Sequence, residues 1–235
     1  MVDNRTISLV CPYYNRANKI FGYLGPALLD DRIDNIAIVD DRSPDEDFQQ
    51  LLENVKSMSK VTVYRNVINM YIQQNKRNAI SFAKNDWVAV CDNDNRMEKD
   101  FFDKIFAIPD WDPNTFYWPA WGHPHFKYTQ FNGKTITKNN ITEFTSDPNG
   151  VSLFNLNNYF LHRDTFLKVY EYRSEVRGAD GLFSCFCWLK AGNSIHIVPD
   201  LTYQHRISPD SVFLSETDEN MKRIYHWYSE LKNLK

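Results

Sequence analysis

The first part of the chain alternates two kinds of pattern, and few folds accept that alternation. Short runs rich in β-branched residues, TISLVC (6–11), NIAIVD (35–40), KVTVYR (60–65) and DWVAVC (86–91), read as strands. Between them lie segments with helical spacing. A helix is expected near 17–30, with Pro26 placed to kink it. Phe48, Leu51, Leu52, Val55 and Met58 share one helix face, and so do Ile72, Lys76, Ala79, Ile80 and Ala83. Strands of nearly continuous apolar character separated by helices predict a parallel sheet covered on both faces. Ligands of such sheets bind beyond the carboxyl ends of the strands.

That rule changes how the strand ends read. Taken alone, Asp92 and Asp94 in DNDNR make a polar turn, because Asp and Asn side chains bond the local backbone and tolerate left-handed conformations. Yet polar clusters follow three strands directly: PYYNR after the first, DDRSPD after the second and DNDNR after the fourth. All three gather at one edge of the predicted sheet. Two of them are carboxylate pairs, and like charges brought together call for a cation or a polar ligand.

The pattern changes from about Pro109 to Gly150, where PDWDPNTFYWPAWGHPHFKYTQFNGKTITKNN is rich in aromatics, Pro and Asn with weak periodicity. It reads as a β-rich segment plus loops, its rings either packed under irregular chain or offered to sugar rings as an acceptor surface. VSLFNLNNYFLHRDTFLKVYEY reads as a strand running into a helix, ADGLFSCFCWLKAGN as a buried helix stopped by Gly192, and SIHIVPDLTYQH as two short strands. A last amphipathic helix has Ser215 and Asp218 as a cap and Met221, Ile224, Tyr225, Tyr228 and Leu231 as its apolar face. No internal repeat or linker stands out.

With 235 residues, 43% of them hydrophobic, the chain suits one α/β unit with a good core. A net charge of -3 and the lack of a basic run speak against nucleic acid as a partner. There is no apolar stretch of about 18 residues, so no transmembrane segment is expected. The apolar run at the N-terminus is short for a secretory signal. A cytoplasmic location is the expectation, with peripheral membrane association compatible. Cys11, Cys91, Cys185 and Cys187 have no zinc-like spacing and read as packing residues.

The ordered set of motifs resembles the family 2 type glycosyltransferases of the GT-A fold, from about Ile7 to Val212. ISLVCPYYNR looks like that family's opening strand and nucleotide loop, and IAIVDDRSPD like its strand ending in an Asp-Asp pair. NKRNAISFAKNDWVAVCDNDN is similar to its Arg-Asn helix and its strand ending in Asp-x-Asp. RGADGLFSCFCWLKAGNSIHIVPDLTYQHRISPDSV looks like its catalytic helix, closing strand and a His followed by a Ser. The resemblance implies a nucleotide-diphospho-sugar transferase (Rossmann-like) fold: a central, mostly parallel mixed sheet flanked by helices. It implies a single GT-A domain over 1–235. About 1–108 would bind the nucleotide-sugar, about 109–212 would carry acceptor and catalysis, and about 213–235 would be the C-terminal helix.

Carried over residue by residue, the resemblance assigns Pro12, Tyr13 and Arg16 to the loop lining the base, and Asp41 to the contact with the base. Arg77 falls near the base and phosphates. Asp92 and Asp94 match the Asp-x-Asp, with Asp94 the metal ligand and Asp92 and Asn93 beside the donor. Asp92 and His205 are further candidate metal ligands. Asp180 matches the catalytic base, although Ala179 stands where an acidic residue usually precedes it. The implied reaction is metal-assisted transfer of one sugar, with inversion, from a nucleotide-diphosphate donor (a UDP-sugar favoured) to a hydroxyl of a glycan or other acceptor. The Gln-x-x-Arg-Trp motif of processive synthases is absent, which favours a single transfer. Oxygen ligands suit Mn2+ or Mg2+, and a His contribution tilts towards Mn2+.

Two other classes stay open. One is a non-catalytic nucleotide-sugar or glycan binding module on the same fold. The other, a nucleotidyltransferase, is disfavoured because CPYYNRANK has no glycine before Gly22.

Overall fold

The computed structural model describes residues 4–155, 158–173, 176–207 and 217–234. The four expected strands form and pair in parallel: β1 (Ile7–Tyr13), β2 (Ile33–Asp40), β3 (Val61–Arg65) and β4 (Trp87–Val90). The helices between them are α1 (Ile20–Leu28, after a 3-10 turn at Ala17–Lys19), α2 (Asp45–Val55) and α3 (Tyr71–Ser81). α1 runs through Pro26. Asp45, Glu46 and Asp47 open α2, where the helix dipole favours negative charge.

The second half adds α4 (Lys99–Phe106), β5 (Thr115–His123), β6 (Phe126–Lys127), β7 (Thr135–Ile136), α5 (Ile141–Thr145) and α6 (Gly150–Phe154). It continues with β8 (Tyr159–His162), α7 (Arg163–Val169), α8 (Asp180–Lys190), β9 (Ser194–Gln204) and a C-terminal helix, α9 (Thr217–Lys232). All nine described strands join one sheet in the order β3-β2-β1-β4-β8-β5-β9-β7, with β6 on β5. The sheet is parallel through β3, β2, β1 and β4. It turns mixed where β8 lies antiparallel to both β4 and β5. This is the expected α/β architecture, and one sheet spans both halves.

Three local expectations fail. VSLFN begins as helix α6, and the strand starts only at Tyr159. SIHIVPDLTYQ is one strand, not two; its register against β5 slips between Pro119 and Trp121, and Asp200 sits at φ 55. The two extra residues of β9 are absorbed as a bulge, so the strand bends without ending. On α9 the buried face is Ile224, Trp227 and Leu231, with Met221 and Tyr228 half-buried, while Tyr225 is exposed. The Ser215 cap lies outside the described residues.

The aromatics of the second half are mostly core. Phe116 stacks on Trp188 at 4.0 Å, and Trp118 on Tyr159 at 5.1 Å. Trp227 packs edge-on against Phe183 at 4.5 Å, fixing α9 to α8.

The sheet order reverses between β1 and β4. β4 pairs β1 only from Ser8 to Val10, while β2 follows β1 as far as Tyr13. Val10 O faces β4, accepting from Cys91 N, so residue 12 faces the same side. Pro12, which has no N–H to offer, therefore sits where β4 has already ended. This is the switch point, where such sheets hold ligands.

Candidate functional site

The carboxylate pair ending β2 splits into two environments. Asp40 is fully buried: it accepts from Ser43 N at 3.1 Å and from the Ser43 hydroxyl, and Arg65 Nε lies 3.0 Å from its Oδ2. It ties the turn into α2. Asp41 is almost fully buried too, its N donating to Tyr13 O at 2.8 Å. Its Oδ1 accepts from Met70 N at 2.7 Å and Asn66 Nδ2 at 2.9 Å. Burial raises both carboxyls above their ordinary range, and these hydrogen bonds oppose the rise.

The loop after β1 closes on the loop after β4. Arg16 is nearly buried, and its Nη1 reaches Asn93 Oδ1 at 3.1 Å and Asp94 Oδ2 at 2.8 Å. Asn93 Nδ2 donates to Tyr14 O at 3.3 Å, and Asn95 Oδ1 accepts from Arg206 N at 3.2 Å. Asn93 and Asn95 thus latch the DNDN turn to its neighbours. Tyr13, expected along the base, is instead a buried pillar: its hydroxyl donates to Asp47 at 2.5 Å and accepts from Arg16 N at 2.9 Å. The exposed ring of that loop is Tyr14.

Three elements meet in one ion cluster. Lys76, 0% exposed on α3, places Nζ 2.6 Å from Asp180 Oδ2 and 3.5 Å from Asp92 Oδ1. Asp180 opens α8, where the dipole favours its carboxylate. Burial alone would pull the Lys76 ammonium down, but Asp180 and then Asp92 hold it protonated, above the usual lysine range. Burial, with Asp94 and Asp180 adding to it, pushes Asp92 up to about 7 against the pull of Lys76. Asp92 N is anchored by Asn158 Oδ1 at 2.9 Å. The buried phenols of Tyr159 and Tyr170 sit near Asp180, their titration pushed far up by burial and then by its charge.

The cation brought to the acids is therefore Lys76 and not Arg77. Arg77 is half-buried on α3 and, among the described residues, makes no hydrogen bond or ion pair. Sequence held one signal for this: Lys76 lies on the apolar face of its helix, and a charge there needs a partner. Nothing in the sequence pointed to Asn158.

Asp94 and Asp92 stand one residue apart at the strand end, while His205 follows β9. His205 Nδ1 is 2.9 Å from His125 Nδ1, and its ring packs on Phe126 at 4.7 Å. Burial and then His125 lower its affinity for a proton, with Asp94 opposing. Among the described residues, no three His, Cys, Asp or Glu side chains converge as a cage, so His205 does not complete a three-ligand set with the two aspartates. Among the described residues Asp92 Oδ1 is buried without a hydrogen bond, with the Lys76 ammonium at 3.5 Å, and no hydrogen bond engages Asp94 Oδ1. Two carboxylates of this kind fit a cation that takes its other oxygens from a bound diphosphate and water.

The comparisons with known proteins bear on the family and the fold. The model of Glycosyl transferase family 2 matches residues 8–167. The structure of S. aureus TarS 1-349 in complex with UDP superposes with a TM-score of 0.67 at 18% identity. That match covers 97% of this chain and 65% of that one, so the chain spans about two thirds of its length. TarS 1-349 in complex with UDP-GlcNAc gives a TM-score of 0.64 at 17% identity, covering 94% and 65%. The mannosyltransferase PcManGT from Pyrobaculum calidifontis, in complex with GDP-Man and Mn2+, gives 0.61 at 13% identity, covering 97% and 70%. No curated protein matches the sequence. With the GT-A fold in place and the family model covering more than half of its residues, the chain belongs to glycosyl transferase family 2.

Proposed function

We propose that this chain transfers one sugar from a nucleotide-diphosphate donor to an acceptor hydroxyl, with inversion and with help from a divalent metal. The observation that carries the proposal is Asp180, held 2.6 Å from a buried ammonium and joined through it to the Asp92–Asp94 strand end. The donor base would meet Asp41, whose carboxylate can accept the N3–H of uracil; a UDP-sugar is favoured. Arg16 and Asn93 would fix the loop walls around the donor. Mn2+ or Mg2+, held by Asp94 with Asp92 and the donor's phosphate oxygens, would offset charge on the leaving diphosphate.

Asp180 would take the proton of the acceptor hydroxyl as that oxygen bonds the anomeric carbon. The bond from that carbon to the diphosphate breaks on the opposite face, and the configuration inverts. Residues 1–108 then serve the donor, 109–212 the acceptor and catalysis, and 213–235 the C-terminal helix. Single-sugar transfer in glycan biosynthesis is the reading that follows. Four free buried cysteines suit the reducing cytoplasm, and peripheral attachment to a membrane is compatible. No described helix is long and apolar enough to cross one.

The deciding experiment is thermal unfolding against UDP-, GDP- and dTDP-sugars with and without Mn2+. A UDP-sugar with Mn2+ is expected to raise Tm most. If no nucleotide diphosphate shifts Tm under any metal condition, the proposal fails. Asp180→Asn should keep the donor-induced shift and lose transfer; a variant that transfers at the original rate places the base elsewhere. Donor binding without any transfer in the unsubstituted protein would favour a binding module.

A further inference from the structure

Lys76 is an expensive residue. It is 0% exposed, and placing an ammonium in a protein interior costs several kcal/mol even after relaxation. Replacing a buried ion pair by packed apolar side chains is often neutral or stabilising, so the pair is weak evidence for a purely structural role. Its placement is informative. Lys76 comes from α3, Asp180 from the first turn of α8 and Asp92 from the end of β4, and one ammonium touches both carboxylates. Without it, Asp92 and Asp180 would face each other with no cation between them.

The contact is also asymmetric. Asp180 Oδ2 is held at 2.6 Å, whereas among the described residues no hydrogen bond engages Oδ1. Ser184 Oγ donates to the backbone carbonyl of Asp180 at 2.7 Å and leaves the carboxylate alone. A carboxylate pinned through one oxygen presents the other in a fixed direction, and a base works only when its oxygen lies within hydrogen-bond reach of the proton it takes.

We propose that Lys76 is the positioning residue of the reaction: it pins Asp180 through Oδ2, so that Oδ1 faces the acceptor hydroxyl, and it separates the charge of Asp180 from that of Asp92. The inference rests on the transferase reading above. Lys76 acts through Asp180, so its removal slows turnover without weakening the donor.

Lys76→Met keeps the length and removes the charge. It strands Asp180 without its cation, so Tm is expected to fall by about 6 °C or more with the fold retained. Turnover should fall about 100-fold, within the range that a positioned base contributes. The KM for the donor and the Tm shift induced by UDP with Mn2+ should be unchanged. In an Asp180→Asn background the same substitution should cost less than about threefold, because residues acting as a unit are not additive. Should Lys76→Met not fold, Lys76→Ala is assayed with added ethylamine, and turnover is expected to recover with amine concentration.

A folded Lys76→Met with unchanged kcat overturns the proposal. So does a full multiplicative loss on top of Asp180→Asn, which would mean that Lys76 acts directly on the donor. A folded Lys76→Ala that no amine rescues overturns it as well. Absence of transfer by the unsubstituted protein is a different result, since that removes the enzyme reading itself.

Discussion

Asp40 and Asp41 are adjacent and have different duties. Asp40 is locked to Ser43 and Arg65 in full burial, so Asp40→Ala unties the turn from both, while Arg65 keeps Asp45 at 2.8 Å. It should cost about 1–3 kcal/mol, read as a lower denaturant midpoint. Asp41→Asn keeps the oxygen that accepts from Met70 and Asn66. Its Tm should hold while the Kd for UDP rises at least about tenfold, the scale of one lost charge-assisted bond. Asp94→Ala is expected to abolish metal-dependent transfer with the fold retained, since its side chain is partly exposed at 25% and its ion-pair partner is Arg16. The strand-end positions of Asp41, Asp92, Asp94 and Asp180 were legible because each follows a clear apolar run or opens a clear helix. Their partners were not: Lys76 and Arg77 are neighbours in sequence, and only the rotation of α3 against β1 and β2 decides which of them points inward.

Among the elements, the junction into α8 carries a specific risk. Gly178 has φ +79, and a Cβ there would come within 2.5 Å of Asn220 Oδ1 on α9. Gly178→Ala should destabilise by about 1–3 kcal/mol through strain and overlap, and should lower turnover by shifting Asp180, two residues on. The β7–β9 pair carries a pH signature. His196 Nδ1 lies 3.0 Å from Thr135 Oγ1, and burial lowers the pKa of His196 in the folded state. The unfolded chain then binds the proton more readily, so this contribution is complete above about pH 6.5 and is lost as pH falls below it. Tm should decline over that interval, and His196→Asn should flatten the decline. Periodicity placed β1 to β4 and α8 well because their patterns are long or strongly apolar. It misread VSLFN and divided β9, because a bulge at Pro199–Asp200 and a one-turn helix are decided by register and not by residue type.

At the scale of the whole molecule, α9 belongs to the core. Ile224, Trp227 and Leu231 are buried against the body of the protein, and fully burying such side chains contributes about 1.5–3 kcal/mol each. Their sum rivals the net stability of an ordinary domain. Removing residues 217–235 should therefore leave a chain without a cooperative thermal transition, measured by circular dichroism. The sequence by itself determined the alternating α/β class, the four parallel strands and the polar clusters at their carboxyl ends, because apolar periodicity and chain order are local properties. Tertiary structure alone decided that β8 reverses direction between β4 and β5, that β4 stops short of Pro12, and that Lys76 stands between Asp92 and Asp180. Those outcomes depend on strand register and on buried charge pairing across 104 residues of separation, which no local pattern encodes.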